Sequence, residues 1–214
     1  MPRLPFITFE GSEGSGKSTQ AERLAARLQR RGVPYILTRE PGGTPIGESI
    51  RELLQFAPHN SNMLPETELL LFEASRSQLV REVIQPALAR GSCVIADRFL
   101  DSTTVYQGAA RRLDLAMVDH LNGFATGNCL PDITFVLDVD AATARSRMQK
   151  PRRPDRMEQQ SLEFYERVRE AYRELAARES HRVVLIDGSR SVHEIESEVW
   201  DVILAHFPSL RKAT

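Results

Sequence analysis

The segment Gly11-Ser12-Glu13-Gly14-Ser15-Gly16-Lys17-Ser18 constrains this chain more than any other feature. It follows the apolar run Phe6–Phe9 and opens a helical pattern, the strand–loop–helix context that the spacing G-x-x-x-x-G-K-[ST] requires. Glycines let the backbone take positive φ and come close to an anion, while loop N–H groups converge with the positive end of the helix. The expected ligand is the phosphate chain of a purine nucleoside triphosphate. Gly11, Ser12, Glu13, Gly14, Ser15, Gly16 and Thr19 would form the cradle, Lys17 would reach the β- and γ-phosphates, and Ser18 would offer its hydroxyl to Mg²⁺.

Five β-rich runs can be read, at Phe6–Phe9, Tyr35–Thr38, Cys93–Ala96, Ile133–Leu137 and Val183–Ile186. They are near-continuous apolar runs, as strands buried on both faces must be, with helical patterns between them. Helices are predicted at Lys17–Arg31, Thr67–Arg90, Leu113–Ala125, Ala141–Met148, Glu158–Arg178 and Val192–His206; Gly32 with Pro34 ends the first and Gly91 the second. The alternation predicts an α/β protein of the P-loop NTPase fold, a five-stranded, mainly parallel sheet covered by helices on both faces. With no repeat and no linker, residues 1–214 read as a single domain. One stretch breaks the rhythm: Gln149-Lys150-Pro151-Arg152-Arg153-Pro154-Asp155-Arg156 is basic and proline-punctuated, and reads as an exposed, mobile loop.

Charge excludes some partners. Twenty-eight Lys and Arg against 29 Asp and Glu leave a formal net charge of -1, so no global field draws nucleic acid or an anionic membrane. No run approaches the ~18 apolar residues of a membrane span, and the N-terminus lacks a leader's apolar core, so a cytoplasmic protein is expected. Cys93 and Cys129 have neither metal-ligand nor disulfide spacing and read as structural. The histidines are scattered without carboxylate partners at useful spacing.

P-loop proteins include motors, switches and small-molecule kinases, so other residues must decide between them. The third strand ends in Ala96-Asp97-Arg98-Phe99, which puts a carboxylate and a guanidinium at the carboxyl edge of the sheet, where α/β folds bind ligands. Asp97 could hold Mg²⁺ through water, and Arg98 could fork across two phosphate oxygens. A GTPase switch would show Asp-x-x-Gly there and a motor a paired acidic ending. A surface ion pair stays open as the bland alternative.

Three strings carry a resemblance: Arg39-Glu40-Pro41-Gly42-Gly43-Thr44, then Asp97-Arg98-Phe99 with Ser102, Tyr106 and Gln107, then Asp155-Arg156-Met157-Glu158. Through them the chain resembles bacterial thymidylate kinases from Phe6 to about Asp187. The resemblance implies transfer of the γ-phosphoryl group of ATP to dTMP, giving dTDP and ADP on the way to dTTP, by a homodimer. It places thymine on Phe72, with Arg76 bonding its O4 and Thr103 and Gln107 at the N3/O4 edge. The four-residue spacing puts Phe72 and Arg76 on one helix face. Tyr106 would exclude a ribose 2′-OH, Glu13 would accept from the sugar 3′-OH, and Pro41 would lie at the base. Arg39, Arg51, Arg98 and Ser102 would meet the dTMP phosphate and its surroundings; for Arg51, on a helix, a solvated face is an equal reading.

The cradle holds no cation besides Lys17, and the resemblance implies that a lid over about residues 149–157 supplies more, with Arg152 and Arg153 as catalytic residues beside Lys150 and Arg156. Arg147 would stack on adenine and the Asp187-Gly188-Ser189 turn would close over it. No general base is expected, because a phosphate monoester with its second pKa near ~6 is already a dianion at neutral pH. The alternatives are another nucleotide kinase on this fold, which a different acceptor would reveal, and a non-catalytic P-loop module, which would bind nucleotide with little turnover.

Overall fold

Val, Ile, Phe and Thr fill the predicted strand segments, and in the computed structural model, which describes residues 3–58, 60–147, 156 and 160–211, each of these segments is extended. Among the described residues β1 (Phe6–Glu10), β2 (Tyr35–Arg39), β3 (Cys93–Asp97), β4 (Ile133–Asp138) and β5 (Val183–Asp187) form one sheet in the order β2-β3-β1-β4-β5. Every pair is parallel, with Phe9 opposite Asp97 on one side and Phe135 on the other. All of β1 is buried, whereas the edge strand β2 alternates between half-buried and exposed.

Helices α1 (Lys17–Arg30) and α9 (Val192–His206) cover one face, where Ile7, Phe9 and Phe135 pack with Leu24, Leu28, Val199 and Trp200. On the other face Phe6, Val94 and Phe99 meet Leu79, Val80 and Ile84, while Val136 packs with Tyr106, Phe164, Val168 and Tyr172. Phe164, Val168 and Tyr172 belong to α8 (Leu162–Arg178), whose first turn is capped by the Ser161 hydroxyl. The predicted start at Glu158 falls outside the described residues, as does Met148 beyond α7 (Ala141–Arg147).

One helix has no predicted counterpart, and one predicted helix is divided. No boundaries were predicted for a helix around Arg51, yet α2 (Pro45–Gln55) is there, with Thr44 accepting from Gly47 N–H and Pro45 in the first turn. Its apolar Ile46 and Leu53 face solvent, which blurs the periodicity. The helix predicted over Thr67–Arg90 is divided into α3 (Pro65–Leu79), a wide π-turn over Val80–Ile84, and α4 (Gln85–Ala89). The wide turn lies just before Pro86, which has no N–H to continue an ordinary ladder. A second such stretch, Thr104–Ala110, continues α5 (Leu100–Thr103) before α6 (Leu115–Thr126).

Candidate active site

The carboxyl ends of β1, β2, β3 and β4, with the turn after β5, surround a cavity of about 650 Å³. Glu13, Gly14, Ser15, Gly16, Lys17, Ser18 and Thr19 form its floor. Gly11 has φ +130°, and a Cβ there would lie 2.6 Å from the Leu137 carbonyl oxygen and 2.9 Å from Ser15 Oγ. Only glycine fits that approach. Lys17 is buried and donates to the Ser12 carbonyl at 3.2 Å; burial, with Arg98 beside it, pulls its pKa below the usual lysine range.

The Ser18 hydroxyl bonds to Asp97 Oδ2. The other carboxylate oxygen, Oδ1, is buried with no hydrogen-bond partner among the described residues. A hydroxyl beside a carboxylate with one oxygen to spare is an oxygen donor set that suits a hard divalent cation.

Arg98 adopts φ 71° just past β3, and Glu10 explains how it is held there. The Glu10 carboxylate accepts from Phe99 N–H at 2.7 Å, Ser102 Oγ–H at 2.6 Å and Tyr172 O–H at 2.8 Å, pinning the chain on both sides of the guanidinium. Burial, reinforced by Asp101, raises the Glu10 pKa. Arg98 then donates to Glu13 at 2.7 Å and to Ser102 Oγ at 3.0 Å, and lies 5.0 Å over the Tyr106 ring. Tyr106 donates to the second Glu13 oxygen at 2.9 Å. Burial opposes the Glu13 charge, but Arg98 and Lys17 outweigh it and hold the pKa below the usual carboxylate range.

One wall of the cavity is formed by Arg39, Glu40, Pro41, Arg51, Phe72, Ser102, Thr103, Tyr106 and Gln107, brought together from four separate segments. Arg39 is exposed and forks across Glu48 at 2.9 and 3.0 Å; Arg51 donates to the Pro41 carbonyl at 2.9 Å. Arg76 is not on the cavity surface: it is 1% exposed and lies behind the wall. Its guanidinium donates to Glu40 at 2.9 and 2.6 Å, Glu73 at 2.8 Å, Asn122 at 3.0 Å, Thr103 at 3.0 Å and the Phe99 carbonyl at 3.3 Å. Glu40 is pushed up to about 7 by burial, with Arg76 opposing the rise.

The other end of the cavity is lined by Arg147, Gly188, Arg190, Ser191, Val192 and Ile195. Arg147 donates to the Gly188 carbonyl at 2.9 Å, which joins α7 to the turn after β5. The start of α9 at Val192 was predicted, and the Ser191–Glu194 capping box fixes it, but Arg190, Ser191, Val192 and Ile195 were not foreseen as lining the cavity. Of the predicted lid, Arg156 is placed, donating to Glu68 and to the Leu54 carbonyl; Arg152 and Arg153 lie outside the described residues, as does Lys150. Glu10 and Glu68 were also missed. A carboxylate ending a buried strand was the one signal for Glu10.

The family described as thymidylate kinase matches residues 9–199. The thymidylate kinase of Kosmotoga olearia is 50% identical over 195 residues, covering 91% of this chain and 92% of that protein. That of Geobacter sulfurreducens is 48% identical over 209 residues, 95% and 98% of the two chains. The crystal structure of thymidylate kinase from Ehrlichia chaffeensis superposes with a TM-score of 0.76 at 37% identity, covering 94% of this chain and 99% of that one.

Proposed function

The chain belongs to the thymidylate kinase family and is a phosphotransferase, and from that premise we propose how its cavity moves the terminal phosphoryl group of ATP onto dTMP. The observation that carries the reading is that the 11–18 loop and a wall bearing Phe72 share one cavity, with Arg98 bonded to Glu13 of the loop and to Ser102 of the wall. The triphosphate lies in the 11–18 loop, Lys17 bridging the β- and γ-phosphates, while adenine stacks on Arg147, which its bond to the Gly188 carbonyl holds against the turn after β5. Thymine stacks on Phe72, a contact worth about 1–3 kcal/mol for a base on an aromatic ring. Arg76, behind the wall, acts on the O4 carbonyl through Thr103, whose hydroxyl oxygen accepts from it at 3.0 Å. Glu13 accepts from the sugar 3′-OH, Tyr106 crowds the 2′ position, and Arg39, Arg51, Arg98 and Ser102 surround the acceptor phosphate.

Catalysis is then alignment and charge neutralisation in a place shielded from water. Lys17 and Arg98 stand where charge spreads over the transferring group, and Arg152 and Arg153 add to it from the basic segment. Ser18 and Asp97 would hold Mg²⁺, which when bound neutralises the phosphate oxygens. Among the described residues no helix is long and apolar enough to cross a membrane, in keeping with a cytoplasmic enzyme. We place it there as a homodimer.

A coupled ADP-release assay across the nucleoside monophosphates tests the reading. We expect dTMP to give the highest kcat/KM, and Lys17→Ala to lower kcat at least ~10²-fold with the circular dichroism spectrum unchanged. A different preferred acceptor, or near-normal turnover in Lys17→Ala, would sink it.

A further inference from the structure

Gln107 takes its orientation from a residue that does not touch the cavity. Glu68, on α3 one turn before Phe72 and two before Arg76, is 1% exposed and lies behind the wall. Its Oε1 accepts from Gln107 Nε2 at 2.7 Å. Arg111 reaches both oxygens, at 3.4 and 3.3 Å, and the Arg156 guanidinium donates to Oε2. A carboxylate between two guanidinium groups offers acceptors only, and so the Gln107 amide must turn its NH₂ inward. The amide carbonyl is then what Gln107 presents to the cavity.

We propose that Glu68 is a positioning residue that sets pyrimidine selectivity by making Gln107 a hydrogen-bond acceptor toward the base. This rests on the reading above, in which a pyrimidine lies on Phe72. Thymine and uracil carry a proton on N3 and satisfy the carbonyl; cytosine brings an N3 lone pair against it. Thr103 completes the pattern: its Oγ accepts from Arg76, which cannot accept in return, leaving the hydroxyl proton for a carbonyl at C4. The donor and acceptor code of the wall is thus written from behind, by one acceptor-only and one donor-only charge.

Glu68→Gln inverts half of this code. The new amide has one carbonyl, which Arg156 and Arg111 Nη2 claim, so its NH₂ faces Gln107, and Gln107 must turn over to present its own NH₂ to the base. We expect the ratio of kcat/KM for dTMP to that for dCMP to fall about ten- to hundredfold, the worth of one inverted buried hydrogen bond. The ratio of dTMP to dUMP, which share the N3 proton, and the KM for ATP should stay at wild-type values. Damage to packing alone would lower all activities together and leave the dTMP:dCMP ratio unmoved, and that outcome overturns the proposal. Wild-type protein that ignores dTMP would instead sink the underlying reading. Should the variant not fold, a crystal structure of the wild-type dTMP complex decides: Gln107 still bonded to Glu68 supports the inference, and Gln107 swung away from it overturns it.

Discussion

Glu40 is buried against Arg76, whose single positive charge it shares with Glu73. Its pKa rises from 4.5 to about 7 on burial. The folded protein therefore holds a proton that the unfolded chain has released. The stability this provides is complete below pH ~4.5, is lost as pH rises from there to about 7, and is bounded by ~3 kcal/mol. Glu40→Gln cannot ionise, so we expect the Tm of the wild type minus that of the variant to fall across this interval and to stay level above it. Calorimetry at half-unit pH steps checks this, and a difference that ignores pH would show that Glu40 titrates normally. The residues of this network also mark what sequence could not reveal. The 11–18 loop and Asp97-Arg98 were legible because their chemistry is local. Glu10 reaches Phe99 and Glu40 reaches Arg76 across stretches that only the strand order brings together.

At the scale of elements, all five strands were legible, because strands in a doubly covered parallel sheet must be apolar throughout. The stretch Leu100–Ala110 was not: it has Thr103, Thr104 and Val105 in sequence, β-branched residues that argue against a helix, and Glu10 and α8 hold it in place. The unit of β1, loop and α1 depends on one close approach, that of Gly11 to the Leu137 carbonyl of β4. Gly11→Ala would set a Cβ 2.6 Å from that backbone oxygen at φ +130°. We expect a loss of about 2–4 kcal/mol in stability, or an ATP affinity lowered by at least tenfold if the loop moves aside instead. Urea unfolding beside calorimetric ATP titration separates the two; no change in either would show that the loop is slack.

On the scale of the whole molecule, α3 and α6 expose Leu70 at 56%, Met117 at 56% and Phe124 at 74%. Apolar side chains of that size on adjoining helices suit the proposed contact with a second copy. Phe124→Glu should convert a dimer into a monomer in sedimentation velocity at micromolar concentration; an unchanged sedimentation coefficient would put the interface elsewhere. The strand order has a consequence of another kind. Because β1 lies at the centre, the groups proposed to hold the acceptor come from the β2 and β3 flank and those for adenine from the β4 and β5 flank. The two sets meet only at the loop after β1. A descendant of this chain could therefore exchange its base preference by substitutions along one flank, without renegotiating its fuel.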